Sequence, residues 1–92
     1  MYKRKDFRIT QKQLEHVLDK EWEFFKTKIL TNCFCHKCGL PGNSTIINYE
    51  IFVNYLHDTI FRGYCKKCGG PLARYTETGE NEEIRKRIAS IV

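Results

Sequence analysis

The sequence predicts an α+β fold: a three-stranded antiparallel sheet, with a long N-terminal amphipathic helix ahead of it and a short C-terminal helix behind it. Three observations carry that expectation. Two near-identical pentapeptides, Cys35-His36-Lys37-Cys38-Gly39 and Cys65-Lys66-Lys67-Cys68-Gly69, each place two thiols three positions apart with a glycine behind the second. Between them runs a segment whose apolar residues recur every second position, the period of a half-buried strand. Ahead of them, apolar residues recur at helical spacing. A chain that leaves one pentapeptide and returns to the other does so most simply as an antiparallel hairpin, so residues 33–76 are expected to form one unit.

Residues 1–9 read as a basic arm, with Lys3, Arg4, Lys5 and Arg8 set among Tyr2 and Phe7. Such a mixture can hold phosphates and stack on bases, or it can be an ordinary solvated terminus. A helix is expected over residues 10–30. Thr10 is its N-cap, Gln13 completes a capping box, and Ile9 is placed to staple against Leu14. Leu14, Val17, Leu18, Trp22, Phe25 and Ile29 form its apolar face with Phe24 at the edge, and Glu15, Lys20, Glu23, Lys26 and Thr27 lie away from it. The face is too wide and irregular for a coiled-coil seam, so packing on the sheet is expected rather than pairing with a second chain. His16 falls off the apolar face, as a solvated side chain.

Thr31 and Asn32 end the helix, and Cys33-Phe34-Cys35 lead into the first pentapeptide. Gly39, Pro41, Gly42 and Asn43 are a cluster of turn formers. From Thr45 the period-two pattern puts Thr45, Ile47, Tyr49, Ile51 and Val53 on one face and Asn48, Glu50 and Asn54 on the other, with Ile46 and Phe52 blurring the polar side. Asn54 to Asp58 is the expected hairpin tip, Thr59 to Tyr64 the returning strand and Leu72 to Thr76 the third strand. After Gly79, Asn81 caps a final helix over residues 81–92, with Glu82 and Glu83 in its first turn, Arg85, Lys86 and Arg87 further on, and Ile84, Ile88 and Ile91 as its apolar stripe.

The spacing C-x₂-C-x₂₆-C-x₂-C points to a metal site made by Cys35, Cys38, Cys65 and Cys68, because two independent pairs agree. A closed four-sulfur site takes Zn²⁺ by default, one ion per chain. It leaves no position for water or substrate, so the metal is expected to be structural, and no cofactor other than the metal is expected. In 92 residues a hydrophobic core leaves stability marginal, and such a staple is a common remedy. Lys37, Lys66 and Lys67 would either offset the charge of the thiolates or face a phosphate. Cys33 gives C-x-C-x₂-C with its neighbours, so it is a spare ligand, a redox handle or a small buried hydrophobe. His36 and His57 are further donors by type.

Residues Cys35 to about Thr76 resemble the zinc-ribbon superfamily in these paired turns and the hairpin between them, somewhat under half of the chain. The resemblance implies a three-stranded antiparallel zinc ribbon and a role as a docking module for nucleic acid or protein. Transcription elongation ribbons carry an acidic pair at the hairpin tip, whereas this tip offers only Asp58. Rubredoxins use similar turns to hold redox iron, but this chain is basic, lacks a proline after the first cysteine of each turn, and has a helix ahead of the site.

Composition narrows the function further. Five cysteines, an odd number at metal-ligand spacing, point to a reducing compartment rather than disulfides, and no secretory signal or membrane-length apolar run is visible. Cytoplasmic location is therefore expected, or nuclear in a eukaryote. The formal charge of +5 falls to about +3 once four thiolates hold one divalent ion. No catalytic constellation is seen, with three scattered histidines and no Gly-rich phosphate loop. The expectation is one domain over residues 1–92, a non-enzymatic binding or regulatory module that associates with nucleic acid weakly and non-specifically. A protein-interaction adaptor or oligomer with a purely structural zinc is the alternative, and a rubredoxin-like iron or thiol redox protein the third.

Overall fold

The computed structural model describes residues 6–91, and within that span the side chains of all but residues 40–43. Four antiparallel strands form the main sheet in the order β1-β4-β5-β6: β1 is Phe7–Ile9, β4 Ile46–Val53, β5 Thr59–Cys65 and β6 Pro71–Thr76. A separate two-stranded antiparallel sheet joins β2, Cys33–Cys35, to β3, Gly39–Ser44. The fold is thus mixed α+β, but the expected three-stranded ribbon is replaced by a four-stranded sheet and an accessory pair. Two segments account for the difference. Part of the expected basic arm is β1, whose Phe7, Arg8 and Ile9 pair with Val53, Phe52 and Ile51, and residues 1–5 of that arm lie outside the described residues. The expected turn after Cys38 is instead extended, with Ser44 opposite Cys33 and Gly39 opposite Cys35.

The long N-terminal helix is also corrected. Its start is as read: Thr10 accepts the Gln13 N–H at 3.1 Å and Gln13 Oε1 accepts the Thr10 N–H at 2.8 Å. The α-helix α1, however, is only Gln11–Leu18. Asp19 then takes φ 52°, a left-handed value that short polar side chains tolerate better than most, and this interrupts the helical ladder. A 3₁₀ turn at Asp19–Glu21, a short α2 at Trp22–Phe24 and a π-helical turn at Phe25–Ile29 complete the segment. Helical periodicity reports which residues face the core, and a local change of winding leaves that pattern nearly intact. The C-terminal helix α3 is Glu82–Ala89, and Asn81 caps it by accepting the Ile84 N–H at 3.0 Å.

Leu14, Val17 and Leu18 of α1 are fully buried, as is Ile88 of α3, and they join one core with Ile9, Ile51, Val53, Phe61 and Leu72 of the sheet. Burying each such side chain contributes about 1.5–3 kcal/mol. The two helices are tied together where Arg87 Nε donates to the Val17 carbonyl at 2.7 Å. The amphipathic face of α1 is therefore satisfied within the chain. Phe25 is buried with it, whereas Trp22 and Ile29 are only partly covered.

Period-two reading of β4 misplaces one part of it for a clear reason. Between Ile47 and Glu50 the register with β5 shifts, and Asn48 sits at φ 50°. This bulge puts two residues opposite one and reverses which positions face inward. Ile46 is buried on one side of it and Ile51 and Val53 on the other, while Ile47 and Tyr49 are half-buried. Tyr49 is still useful there: its ring meets Phe61 edge-on at 5.3 Å and its hydroxyl donates to Gln11 Oε1 at 2.9 Å. Gly63 makes the bulge possible. A Cβ at that position would lie 2.5 Å from the Ile47 carbonyl oxygen and 2.8 Å from Tyr49 Cα, both backbone atoms.

Gly63→Ala is expected to force the bulge open and cost about 1–3 kcal/mol, as overpacking does. Urea unfolding of the variant and the parent checks it, with an unchanged midpoint counting against a tightly held bulge.

Candidate metal centre

The four cysteines of the two pentapeptides converge. Cys35 ends β2 and Cys65 ends β5, so each first cysteine is delivered by a strand and is buried, while Cys38 and Cys68 lie in the turns and are exposed. Their sulfurs all lie within 4.8 Å of one another, with Cys35 Sγ 3.5 Å from Cys68 Sγ and Cys38 Sγ 3.7 Å from Cys65 Sγ. Disulfides are excluded at those separations, since a bonded pair would sit at about 2.05 Å. Four sulfurs at about 2.3 Å from a tetrahedral ion would be about 3.8 Å apart, so the donor set and its spacing fit a metal ion.

The turns are built alike. Gly39 and Gly69 have φ of +72° and +73°, values that glycine adopts without strain, and nothing lies within 4 Å of where a Cβ would be. Glycine is there for the backbone, not for space. In the second turn the Gly69 N–H donates to the Cys65 carbonyl and the Cys65 N–H to the Gly70 carbonyl, each at 2.8 Å, and the Gly70 N–H points at Cys68 Sγ at 3.4 Å. Lys37 crosses from the first turn to the second: a Cβ on Gly70 would meet its Cδ at 2.9 Å.

Without an ion the sulfurs compete for protons. Backbone hydrogen bonding at Cys68, followed by the Ser44 side chain, pulls the Cys65 thiol down to about 6 despite its burial. Cys38 is pushed up to about 12, first by the hydrogen bond with Cys65 and then by Cys68. The two thiols are thus displaced in opposite directions. A divalent cation at the centre removes that conflict by stabilising the thiolates together.

Cys33 stands outside the group. It is fully buried, and its Sγ donates to the Ile29 carbonyl at 3.5 Å and the Leu30 carbonyl at 3.7 Å. Burial pushes its thiol up, against the opposing pull of Arg74. His36 is exposed in its turn and His57 sits at the hairpin tip at φ 63°, and neither is part of a metal-ligating cluster among the described residues. Asp58 at the tip is buried, with Oδ1 accepting the Gly79 N–H at 2.9 Å and Oδ2 accepting the Tyr75 hydroxyl, so it serves the fold of the tip.

The basic clusters have different fates. Lys86 and Arg87 pair with Glu82 and Glu83 of their own helix at 3.3 and 3.8 Å. Lys37, Lys66 and Lys67 are exposed around the metal site. Residues 24–49 and 59–76, which carry both cysteine turns, contain no aspartate or glutamate, although the chain has 11. That segregation was legible in the sequence as two acid-free windows but is masked by the modest overall charge. A second signal lies one residue upstream of each turn: Phe34 and Tyr64 precede Cys35 and Cys65, so the repeat is a hexapeptide beginning with an aromatic residue.

No described helix is long and apolar enough to cross a membrane. No family model, curated protein or solved structure matches the chain. The centre itself is compatible with a zinc-ribbon-like metal site, and that likeness rests on the cysteine cluster alone.

Cys35→Ser, Cys38→Ser, Cys65→Ser and Cys68→Ser are each expected to impair metal loading, and Cys33→Ser to leave it intact. Metal content of the purified variants decides this. Full loading of Cys68→Ser together with loss in Cys33→Ser would assign the wrong sulfurs.

Proposed function

We propose that this chain is a non-enzymatic zinc module of the cytoplasm, or of the nucleus in a eukaryote, that associates with nucleic acid weakly and without strong sequence preference. The observation that carries the reading is the exposure of Lys37, Lys66 and Lys67 in the two cysteine turns, none of them in a described ion pair. One divalent ion and four thiolates leave a charge of −2, which three lysines exceed. With the ion bound the three lysines would leave these turns slightly positive, and exposed cations suit a phosphate backbone.

Zinc is the ion proposed, held by Cys35, Cys38, Cys65 and Cys68. Four thiolates satisfy its tetrahedral preference and leave no open position, which supports a structural role and a non-enzymatic protein. When bound, it supplies a cross-link between the accessory sheet, which carries Cys35, and the main sheet, which carries Cys65. Zinc-finger peptides gain roughly 10–16 kcal/mol from such a site, comparable to the stability of a whole domain. The core that the helices share with the sheet extends beyond Cys35 and Cys65 to Leu14, Val17, Leu18, Phe61 and Ile88, so the largest consequence of metal loss is expected at the cysteine turns. Chelation is expected to raise amide exchange first in residues 33–44 and 65–70, with Leu14 and Phe61 protected longer. Uniform exchange across the chain would instead make the metal a requirement for the entire fold. A red, absorbing protein from iron-replete cells would favour the rubredoxin-like alternative.

A protein-adaptor reading has its own observation at the far end of the sheet. Phe7 is 59% exposed beside the hairpin tip, where Tyr55 and Leu56 are 60% and 51% exposed. A salt titration against random-sequence oligonucleotides separates the two. With three lysines on three phosphates of a single strand, the logarithm of affinity should fall against the logarithm of salt with a slope of about −2. Absence of binding at low salt would leave the adaptor reading in its place.

A further inference from the structure

The two cysteine turns repeat more than their ligands. In Phe34-Cys35-His36-Lys37-Cys38-Gly39 and Tyr64-Cys65-Lys66-Lys67-Cys68-Gly69, an aromatic residue precedes the first cysteine and a lysine follows the aromatic by three positions. The structure treats the copies alike: the first cysteine is buried, the second is exposed, and the glycine is left-handed in both. The aromatic side chains are exposed to nearly the same extent, Phe34 by 53% and Tyr64 by 50%.

These exposures have no explanation in the core. Phe34 lies between two fully buried cysteines on β2, so strand alternation turns it to the opposite side, away from the packed interior. Tyr64 lies on β5 between half-buried Gly63 and buried Cys65 and pairs with Ile47 and Pro71 across the sheet. Neither belongs to the hydrophobic core or packs against it as a partly buried member. Exposed rings and exposed lysines in the same two turns are suited to a ligand that has a flat apolar surface and a negative charge in each repeating unit. Unpaired nucleotides have both, whereas a duplex hides its base faces in the stack.

Resting on the nucleic-acid reading above, we propose that the metal centre holds two stacking units, the Phe34 and Tyr64 rings, which with Lys37 and Lys67 of the same two turns bind single-stranded nucleic acid by stacking one base on each ring and placing phosphates near the lysines. The metal sets the two units in fixed relation, because each aromatic residue is the neighbour of a ligand cysteine. Chain identity is read weakly, since every base has a face on which to stack.

Fluorescence anisotropy with zinc-loaded protein tests this on oligothymidine and oligouridine strands of about a dozen nucleotides, the length scale of one such site, and on a duplex of the same length. Metal content confirms that each variant keeps its centre. Phe34→Ala and Tyr64→Ala should each weaken single-strand binding about 5- to 100-fold with the salt slope unchanged. Lys37→Gln and Lys67→Gln should each flatten the slope by about 0.7. Tyr64→Phe should bind as the parent does, because the ring and not the hydroxyl is used. The two strands show whether the ribose or deoxyribose form is preferred. Parent binding with no loss in either alanine variant overturns the stacking units and leaves the proposed function standing. A duplex bound as tightly as the single strand does the same. No binding of any strand at low salt overturns both.

Discussion

Four sulfurs held within 4.8 Å are the constraint on which the rest of this molecule depends. Thiolates at that distance repel, and the Cys65 and Cys38 thiols are displaced in opposite directions. Neither state is a good end for two strands. A cation converts the arrangement into an attraction, and its reach extends into the topology. Cys35 belongs to a two-stranded sheet and Cys65 to a four-stranded one, so the cluster is the point where the two sheets meet through side chains. Backbone contacts support the junction, with the Ile46 N–H donating to the Leu30 carbonyl at 3.0 Å and the Lys66 N–H to the Thr45 carbonyl at 2.9 Å.

Bringing Cys65 into that cluster while keeping Phe61 in the core demands a consistent inward face on β5, and Thr59, Phe61 and Cys65 supply it. The partner strand cannot match it with simple alternation, because Ile46 must face inward near the cysteine cluster and Ile51 and Val53 must face inward near the helices. One extra residue is required between them. The bulge at Asn48 provides it, and Gly63 leaves the space into which the displaced backbone moves. Metal site and helical core are thereby served by one sheet.

How much of this was legible in the sequence follows from the range of each signal. Cysteine spacing is local and discrete, so the four residues that converge could be read directly from Cys35 to Cys68. The Thr10–Gln13 capping box and the Asn81 cap are equally local, and both are formed. What escaped depends on partners distant in the chain. Phe7–Ile9 is a strand only because β4 offers it an edge, and nothing in three residues announces that. Gly39, Pro41, Gly42 and Asn43 are turn formers by type, yet pairing with Cys33–Cys35 draws the segment out. The interruption at Asp19 left the apolar pattern intact, and the bulge in β4 was present as the conflict between Ile46 and the odd-numbered set, read as a blurred face.

The distribution of charge completes the argument from structure to role. Among the described residues five cations are paired with carboxylates: Arg8 with Glu50 at 3.1 Å, Arg62 with Asp6 at 3.4 Å, Lys26 with Glu23 at 3.0 Å, and Lys86 and Arg87 with their own helix. Exposed pairs of this kind add little stability, but they cancel the field locally. Arg62 also lies over the Phe52 ring at 4.7 Å. Lys37, Lys66 and Lys67, by contrast, are in none of the described ion pairs. Compensation of a metal thiolate cluster would need two positive charges, and three lysines are placed beside it, with Lys37 laid across to the opposite turn. With one divalent ion bound, the three lysines would leave a small positive surplus beside the cysteines.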